Sequence, residues 1–455
     1  MSLEYVSIAG PFDLVTALRR EANARPARPV FTFLADGGET ALALSYRELD
    51  RQARAIAAAL QARGLRGERV LLLYVPGLEF IAALFGCLYA GAVAVPAYPP
   101  TPGQGDRALP RLQAIVADAD PALVLSTAGL LEVAQFVFEQ APELARLPRD
   151  ASDRLALAGV EERWQEVTPD PADVALIQYT SGSTATPKGV CVTHGALAVN
   201  LQMIARASRH DADTIVCSWL PFYHDFGLVG GILLPVSLGA RAVLLPPFDF
   251  LQRPIAWLRA LQAYGATDSF VPNFALDLCV RKTTAEERRS LDLSRVERIV
   301  VAAEPVRPAT LERFAEVFAA HGLRRGRLFP AYGLAEAVVG VSGGPFTRPC
   351  RVARIDRDEL GRGRWVESEG DDRRTSALAG CGEPLPGVEV VVVDPATRRP
   401  LPDGGVGELW VRGPNVASGY WNRPEASAET FDARLADGDP RSFLRTGDLA
   451  ALVDG

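Results

Sequence analysis

The sequence predicts an α/β protein with two α/β units that contain mostly parallel sheets and one smaller β-rich unit. Up to about Pro345, amphipathic helical segments alternate with short apolar runs, which is the pattern of parallel strands covered by helices on both faces. Beyond that point charged residues become dense, and Pro- and Gly-rich turns separate the apolar runs. A length of 455 residues suits two or three cores. We place the units at approximately 1–195, 196–345 and 346–455.

The first unit begins with a helix that leads into a buried strand. In "SYRELDRQARAIAAALQARG", Ser45 and Glu48 have the spacing of a capping box, and Gly64 ends the helical pattern. The run "RVLLLYV" predicts a buried strand, which is followed by a helix to about Gly91 and by the strand "AVAVPA". The nearly uncharged stretch 70–98 is long enough to cross a bilayer, but proline and glycine interrupt it near both ends. We therefore predict strand, helix, strand and no membrane span.

The same alternation continues along the chain. "DVALIQYT" predicts a strand, and "THGALAVNLQMIARAS" predicts a helix with Thr193 as its N-cap. "RAVLLP" and "RIVVAAE" are apolar runs of strand length, and helices are predicted at about 255–265, 273–282 and 308–322. In the third unit, "VEVVVVD" and "GELWVRG" predict strands.

The composition argues against several classes of function. A formal net charge of −7, without a dense basic patch, argues against nucleic-acid binding. Six scattered cysteines without a CxxC pair indicate reduced thiols in a cytoplasmic protein and not a disulfide scaffold. Four histidines without metal-ligand spacing argue against a zinc site. The start, "MSLEYVSIAG", lacks the charged and apolar regions of a secretory signal.

One short loop carries the clearest chemistry. In "YTSGSTATPKGV", residues 179–190, glycine lets the backbone approach an anion and the hydroxyls donate hydrogen bonds. Lys188 is one of two lysines among 48 basic residues, and a compact ammonium follows a mobile phosphate better than a planar guanidinium does. An ordinary Ser/Thr/Gly turn is the alternative interpretation. A Walker P-loop is excluded because the lysine lies between Pro187 and Gly189.

This loop resembles the phosphate loop of the adenylate-forming superfamily, which includes acyl-CoA synthetases, luciferases, peptide-synthetase adenylation domains and fatty acyl-AMP ligases. Four more segments resemble that family's motifs in its order: "AAEP" from Ala302, "YGLAEA" from Tyr332, "GELWVRGPNVASGYWNRPE" and "LRTGDL" from Leu444. The chain departs from the pattern at Ala185, where the family usually has glycine. The resemblance implies the adenylate-forming enzyme fold, in which the two α/β subdomains form a layered sandwich and the β-rich subdomain is a distorted barrel.

The resemblance also implies how a nucleotide binds. Tyr332 would stack on adenine, and Asp448 would accept hydrogen bonds from the ribose hydroxyls. Glu336 and Thr184 would hold Mg²⁺, a hard cation that prefers oxygen ligands. The ordinary alternatives are a core tyrosine, a turn cap and a surface carboxylate. The other cofactor-binding residues that the resemblance implies are Thr180, Ser181, Gly182, Ser183, Ala303, Glu304, Pro305, Gly333, Leu334 and Ala335.

Within the superfamily the chain is similar to fatty acyl-AMP ligases. "SWLPFYHDFGLVGGILLPVSLGA", "SFVPNFALDLC" and alanine directly before Glu336 fit that subfamily. The charge-dense stretch near 350–376 lies where these ligases have an insertion, although a solvated loop is the alternative. The resemblance implies that a fatty acid carboxylate attacks ATP to give acyl-adenylate and pyrophosphate, with Lys188, His224 and Glu336 as catalytic residues. The alternative for His224 is a core histidine satisfied by a backbone partner. The predicted acyl-binding residues are Phe222, Phe226, Leu228, Asn273, Phe274 and Leu278.

The acyl group would then pass to the phosphopantetheine arm of an acyl carrier protein in a polyketide, lipopeptide or lipid pathway. The chain ends at "LVDG", where the family's small C-terminal domain begins, so we expect weak adenylation without that domain. Two alternatives stay open. A fatty acyl-CoA synthetase would release a thioester of coenzyme A, whereas a silent nucleotide- or lipid-binding module would release nothing.

Overall fold

The computed structural model describes residues 13–99, 105–135, 138, 141–156, 159–180, 187–370 and 374–454. The strands in chain order are β1 Pro29–Ala35, β2 Thr40–Ser45, β3 Arg69–Leu73, β4 Val93–Ala97, β5 Leu123–Ser126, β6 Arg149–Ala151, β7 Val174–Thr180, β8 Lys188–Thr193, β9 Ile215–Ser218, β10 Arg241–Leu244, β11 Asp268–Val271, β12 Arg298–Val301, β13 Leu328–Pro330, β14 Ser342–Gly343, β15 Val352–Asp356, β16 Thr375–Ala379, β17 Glu383–Pro384, β18 Glu389–Val393, β19 Val406–Arg412 and β20 Leu444–Ala451.

The α-helices in the described ranges are α1 Leu14–Ala24, α2 Tyr46–Ala62, α3 Leu78–Ala90, α4 Gly105–Ala119, α5 Ala128–Val133, α6 Pro142–Ala145, α7 Ser152–Ala156, α8 His194–Ser208, α9 Asp225–Leu228, α10 Leu234–Leu238, α11 Pro247–Gln252, α12 Ile255–Ala263, α13 Asn273–Lys282, α14 Ala285–Arg288, α15 Pro308–Ala319, α16 Arg357–Gly361 and α17 Pro424–Phe431. A buried π-helical turn, Val229–Leu233, joins α9 to α10.

The first large sheet has six strands in the order β6-β5-β3-β4-β7-β8, and all its neighbours are parallel except β7 and β8. Strands β3 and β4 are apolar on both faces because helices cover both sides of a parallel sheet. The capping box at α2 is present, since the Ser45 side chain accepts from the Glu48 amide and the Glu48 carboxylate accepts from the Ser45 amide. Helices α2 and α3 touch at Gly86, where a Cβ would lie 2.5 Å from Ile56.

The stretch 70–98 therefore forms strand, helix, strand, as its proline and glycine positions predict. In the described part of the chain, every helix is too short or too polar to cross a bilayer.

The second large sheet has seven strands in the order β13-β12-β11-β9-β10-β1-β2. Strand β1 runs parallel to β10, whereas β2 returns antiparallel along β1 at the edge. Residues 29–45 thus belong to this sheet, although the sequence boundaries place them in the first unit. Both faces of β1 are buried, at Val30, Phe31, Phe33 and Leu34. An apolar sequence predicts that a strand is buried, but it does not predict which sheet the strand joins.

The two large sheets share one core. A single apolar cluster contains Leu72 of β3, Phe31 of β1 and Phe270 of β11, together with the helices between the sheets. The Tyr46 hydroxyl, at the start of α2, donates to the Ala240 carbonyl at 2.7 Å and so fixes this helix to the second sheet. Helices therefore lie between two twisted, mostly parallel sheets, which confirms the predicted α/β class.

The β-rich part contains the antiparallel sheet β18-β19-β20 and two small ladders, β14-β17 and β15-β16. Its own small core surrounds Trp410 and Phe443. The charge-dense stretch forms the hairpin of β15 and β16 with α16 between them, and Asp356 caps that helix by accepting from two backbone amides. Residues 371–373 of this stretch lie outside the described ranges.

Candidate active site

A cavity of about 430 Å³ opens where the carboxyl ends of strands from both large sheets meet. Thr180 ends β7, while Ala303 and Ala331 follow β12 and β13. In parallel sheets, such strand ends form crevices lined by loops, and ligands usually bind there. Asp448 on β20 closes one side of the cavity, so the β-rich part contributes to its wall. The volume falls within the range of small-molecule sites.

In the loop from Tyr332 to Gly340, backbone segments approach each other closely. A Cβ at Gly333 would lie 1.4 Å from the Val339 carbonyl oxygen, so only glycine fits there. Val338 and Val339 have positive φ of 63° and 134°, which is costly for β-branched residues, and Ala303 across the cavity has φ 68°. Strained backbone of this kind concentrates at functional sites, and here it presents Glu336 and Val339 to the cavity.

Tyr332 and Asp448 meet at the cavity although 116 residues separate them. The Tyr332 hydroxyl donates to Asp448 Oδ2 at 2.6 Å. Burial raises the pKa of Tyr332, and the hydrogen bond to Asp448 raises it further, so the tyrosine stays neutral at physiological pH. The two residues predicted for adenine and ribose thus lie side by side, together with Gly333, Leu334 and Ala335 in the same wall.

The predicted phosphate loop connects two neighbouring strands. Thr180 on β7 pairs directly with Lys188 on β8, and Thr180 lines the cavity. The Lys188 ammonium lies 4.7 Å from the centre of the Tyr420 ring, and the Tyr420 hydroxyl donates to Glu336 Oε1 at 2.7 Å. The predicted residues Ser181, Gly182, Ser183 and Thr184, with Ala185, lie outside the described residues.

His224 lies in the cavity wall beside Asp225. Its Nδ1 is 2.7 Å from Asp225 Oδ1, and that hydrogen bond raises the pKa of His224 above the usual histidine value despite partial burial. The charge of Asp225 adds to the rise, whereas the charge of Arg111 opposes it. His224 therefore keeps its proton to higher pH than a free histidine, paired with the Asp225 carboxylate in the same wall.

Several predicted residues lie away from this cavity. The Glu304 carboxylate accepts from the Phe274 amide at 2.6 Å, and the Asn273 side chain accepts from the Arg307 amide at 3.0 Å, so both bind the first turn of α13 to the loop after β12. Pro305, next to Glu304, is also absent from the cavity wall.

Of the six predicted acyl-binding residues, only Phe226 lines the cavity. Phe222 and Leu228 are buried in the main core. Phe274 is 42% exposed and packs edge-on against Trp219, whereas Leu278 packs on the outside of the core. These residues were predicted because their segments flank the site in the resembled family, but helix geometry turns most of them toward other neighbours.

The wall includes residues that the sequence interpretation did not select. Gln178 carried a signal, because it is the one polar residue inside the apolar run of β7. Its Nε2 donates to the Tyr223 carbonyl at 2.6 Å, while its Oε1 is buried without a partner in the described structure. The other unselected residues with large side chains are Arg111, Tyr179, Ile204, Tyr223, Phe270, Phe346 and Leu385.

Among the described residues, no group of three or more His, Cys, Asp or Glu side chains could hold a metal ion. The described wall of the cavity contains three carboxylates, those of Asp225, Glu336 and Asp448. Its Oε1 binds Tyr420, and its Oε2 accepts no hydrogen bond from the described residues.

Comparisons with known proteins agree on one family. The model of the AMP-binding enzyme family matches residues 18–421. The chain is 42% identical to the medium-chain-fatty-acid–[acyl-carrier-protein] ligase JamA of Moorena producens, over 97% of this chain and 75% of that protein. It is 37% identical to the long-chain-fatty-acid–AMP ligase FadD26 of Mycobacterium marinum, over 97% and 77%.

Among solved structures, the chain is similar to the fatty acyl-adenylate ligase of L. pneumophila in complex with acyl adenylate and pyrophosphate. The TM-score is 0.90 and the identity 39%, over 97% of this chain and 75% of that one. A family match that spans most of the sequence, relatives well above 30% identity and a common fold lead to one conclusion: this chain belongs to the AMP-binding enzyme family, alongside fatty acid–AMP and fatty acid–carrier protein ligases.

Proposed function

We propose that this chain activates a medium- or long-chain fatty acid with ATP, giving an acyl-adenylate and pyrophosphate, and transfers the acyl group to the phosphopantetheine arm of an acyl carrier protein. The observation that carries the proposal is a single cavity with two kinds of wall. Tyr332, Glu336 and Asp448 supply polar groups to its lining, and Ile204, Phe226, Phe270, Phe346 and Leu385 supply apolar ones. A nucleotide and an acyl chain could therefore meet within one site.

The reaction needs orientation and charge neutralisation more than covalent help from the protein. A carboxylate oxygen of the fatty acid attacks the α-phosphorus of ATP, and the bond to the β-phosphate oxygen breaks as pyrophosphate leaves. His224, with its raised pKa, and Lys188, beside the phosphate loop, would neutralise the negative charge that gathers there. Asp448 would exchange its hydrogen bond from Tyr332 for the ribose hydroxyls.

Mg²⁺ fits the residues present. This cation keeps a near-octahedral shell and is usually held by one or two carboxylates together with substrate phosphates, so a cage of several side chains is not needed. Glu336 Oε2, which accepts no hydrogen bond from the described residues, would supply one such oxygen at the cavity. The hydroxyl of Thr184 is the second predicted ligand. When bound, the cation would neutralise phosphate charge.

We include a cytoplasmic location in the same proposal. All six cysteines are free in the structure, four of them buried, which suits the reducing cytoplasm, where ATP is also available.

The product identifies the function directly. The protein is incubated with ATP, Mg²⁺ and a mixed pool of fatty acids, first alone, then with coenzyme A, and then with a phosphopantetheinylated carrier protein, and products are identified by mass spectrometry. We expect acyl-adenylate in the first reaction, in a small amount because adenylation by this chain alone is expected to be weak, and acyl-carrier protein in the third. A coenzyme A thioester in the second would identify an acyl-CoA synthetase instead, and no product in any reaction would indicate a silent binding module.

A small change in the wall should alter the preferred chain length. Gly230 lines the cavity from the π-helical turn, and a Cβ there would lie 3.0 Å from the Phe270 ring. We expect Gly230→Ala to lower kcat/KM for long fatty acids about tenfold more than for short ones. One extra methyl group in an apolar pocket changes the ratio of kcat/KM between two substrates by about this factor. Pyrophosphate release across a series of acids measures this.

The neighbouring glycine provides the matched control for this prediction. A Cβ at Gly231 would meet Ser218 at 3.2 Å on the core side, away from the cavity. Gly231→Ala should therefore change stability without changing the chain-length profile. Identical profiles for the two variants would show that the acyl chain does not pass Gly230.

A further inference from the structure

One short segment, residues 417–421, contacts both the strand that carries Lys188 and the loop that carries Glu336. We propose that Tyr420 in this segment is a positioning residue that fixes the Lys188 ammonium and the Glu336 carboxylate relative to each other for the phosphates and Mg²⁺ of the nucleotide. The proposal rests on the proposed function, because the roles of Lys188 and Glu336 belong to it.

The contacts with Glu336 involve both its side chain and its backbone. The Tyr420 hydroxyl donates to Glu336 Oε1 at 2.7 Å, and the Ala417 amide donates to the Glu336 carbonyl at 2.8 Å. One carboxylate oxygen is therefore held by the tyrosine, while Oε2 accepts no hydrogen bond from the described residues. A carboxylate with one oxygen fixed loses little further freedom when the other binds a cation.

The contacts with β8 extend its ladder. The Trp421 amide donates to the Gly189 carbonyl at 2.7 Å, and the Cys191 amide donates to the Gly419 carbonyl at 2.9 Å. The Tyr420 ring thereby lies 4.7 Å from the Lys188 ammonium, a distance at which the ring face attracts the cation. One residue thus contacts both charged groups, which lie 148 positions apart in the sequence.

The residues around Tyr420 hold its side chain in place. The residue is only 8% exposed, its ring packs edge-on against Phe431 at 5.1 Å, and its amide donates to Ser427 Oγ at 2.8 Å. These contacts hold the ring in place, so its hydroxyl stays directed at the Glu336 carboxylate.

Two substitutions separate the two contacts. Tyr420→Phe removes the hydroxyl and keeps the ring beneath Lys188, whereas Tyr420→Leu removes both. Calorimetry of ATP binding with and without Mg²⁺ gives a readout that needs no fatty acid. We expect Tyr420→Phe to weaken the Mg²⁺-dependent part of ATP binding about 10- to 100-fold, the effect of losing a hydrogen bond to a charged group, and to leave binding without Mg²⁺ unchanged. Tyr420→Leu should weaken both.

The control is a tyrosine that makes the same kind of bond away from the cavity. The Tyr89 hydroxyl donates to Asp50 Oδ1 at 2.9 Å in the core, so Tyr89→Phe should leave ATP binding unchanged with and without Mg²⁺. The positioning role is overturned if Tyr420→Phe behaves like Tyr89→Phe, or if Mg²⁺ does not strengthen ATP binding by the unaltered protein.

Exchange of pyrophosphate into ATP with decanoate, measured on the same proteins over a range of Mg²⁺ concentrations, separates this inference from the proposed function. A higher Mg²⁺ requirement in Tyr420→Phe would support both. If the unaltered protein binds ATP with Mg²⁺ but exchanges nothing with any fatty acid, the proposed function fails, and the binding data alone decide the role of Tyr420.

Discussion

Replacing Lys188 with alanine is expected to lower kcat/KM for adenylate formation by about 100- to 1,000-fold, the usual loss when one preorganised group that stabilises transition-state charge is removed. Lys188 lies opposite Thr180 of the cavity wall and against the Tyr420 ring, where its ammonium is half-buried beside the predicted phosphate loop. Steady-state pyrophosphate release measures the loss, and ATP affinity should fall with it.

Arginine and the second lysine make this test specific. Lys188→Arg keeps the charge but adds a planar, bulkier head group above Tyr420, so we expect it to restore only part of the activity. Lys282 is on α13, and its ammonium donates to the Leu251 carbonyl at 3.1 Å, far from the phosphate loop in the sequence. Lys282→Ala should leave kcat/KM unchanged. If Lys188→Ala and Lys282→Ala gave the same activity, Lys188 would have no part in phosphate binding.

Replacing Asp268 with asparagine is expected to lower the free energy of unfolding by about 3–5 kcal/mol, the usual cost of removing one partner from a buried ion pair. The Asp268 carboxylate is almost fully buried at the start of β11 and accepts hydrogen bonds from Arg298 and from His210 at 2.8 Å. Without it, the mostly buried Arg298 guanidinium keeps only its ion pair with the half-exposed Glu297. Urea denaturation of both proteins measures the difference.

The same substitution should change how stability depends on pH. Burial alone would raise the pKa of Asp268, but the hydrogen bond and charge of His210 and the charge of Arg298 lower it below the usual aspartate value. Because the pKa of Asp268 is lower in the folded protein than in the unfolded chain, its ionised carboxylate stabilises the fold. This stabilisation is fully present above the pKa of Asp268 in the unfolded chain and is lost as the pH falls through its pKa in the folded protein. We therefore expect unaltered protein to lose stability below about pH 4 more steeply than Asp268→Asn.

An exposed ion pair is the control for this prediction. Glu286 and Arg289 form a pair on α14 and the residue after it, and both side chains are more than two thirds exposed. Surface pairs of this kind contribute little, so Glu286→Gln should leave the urea midpoint nearly unchanged. Equal midpoints for Asp268→Asn and the unaltered protein would contradict the argument that Asp268 stabilises the second sheet.

The sequence predicts most of the local elements because their signals are local. The capping box at Ser45, the N-cap at Thr193 and the helix Asn273–Lys282 are present as the residue pattern indicates, since each depends on neighbours within one or two turns. The helix predicted over 308–322 ends earlier, at Ala319, because the last buried residue of its apolar face is Phe318. A sequence predicts which face of a helix is buried more accurately than it predicts the residue at which the helix ends.

The cavity wall could be predicted only in part. Tyr332, Glu336 and Asp448 were selected by their motifs, and the structure brings them together with His224 and Thr180. The acyl-binding residues were selected from segments that flank the site in the resembled family, and only Phe226 reaches the wall. An apolar residue carries the same sequence signal whether it faces a core or a cavity, so motif proximity does not separate Leu228 from Phe270.

What the sequence determined by itself is the order of the chemistry: an α/β chain, a hydroxyl-rich loop ending in Lys188, and the later segments around Tyr332, Glu336 and Asp448. Only the tertiary structure decided that β1 joins the second sheet, that Phe270 and Leu385 line the cavity, and that Tyr420 connects Lys188 with Glu336. The physical reason is that periodicity and spacing specify which face of an element is buried, whereas the partner on that face depends on how distant segments pack.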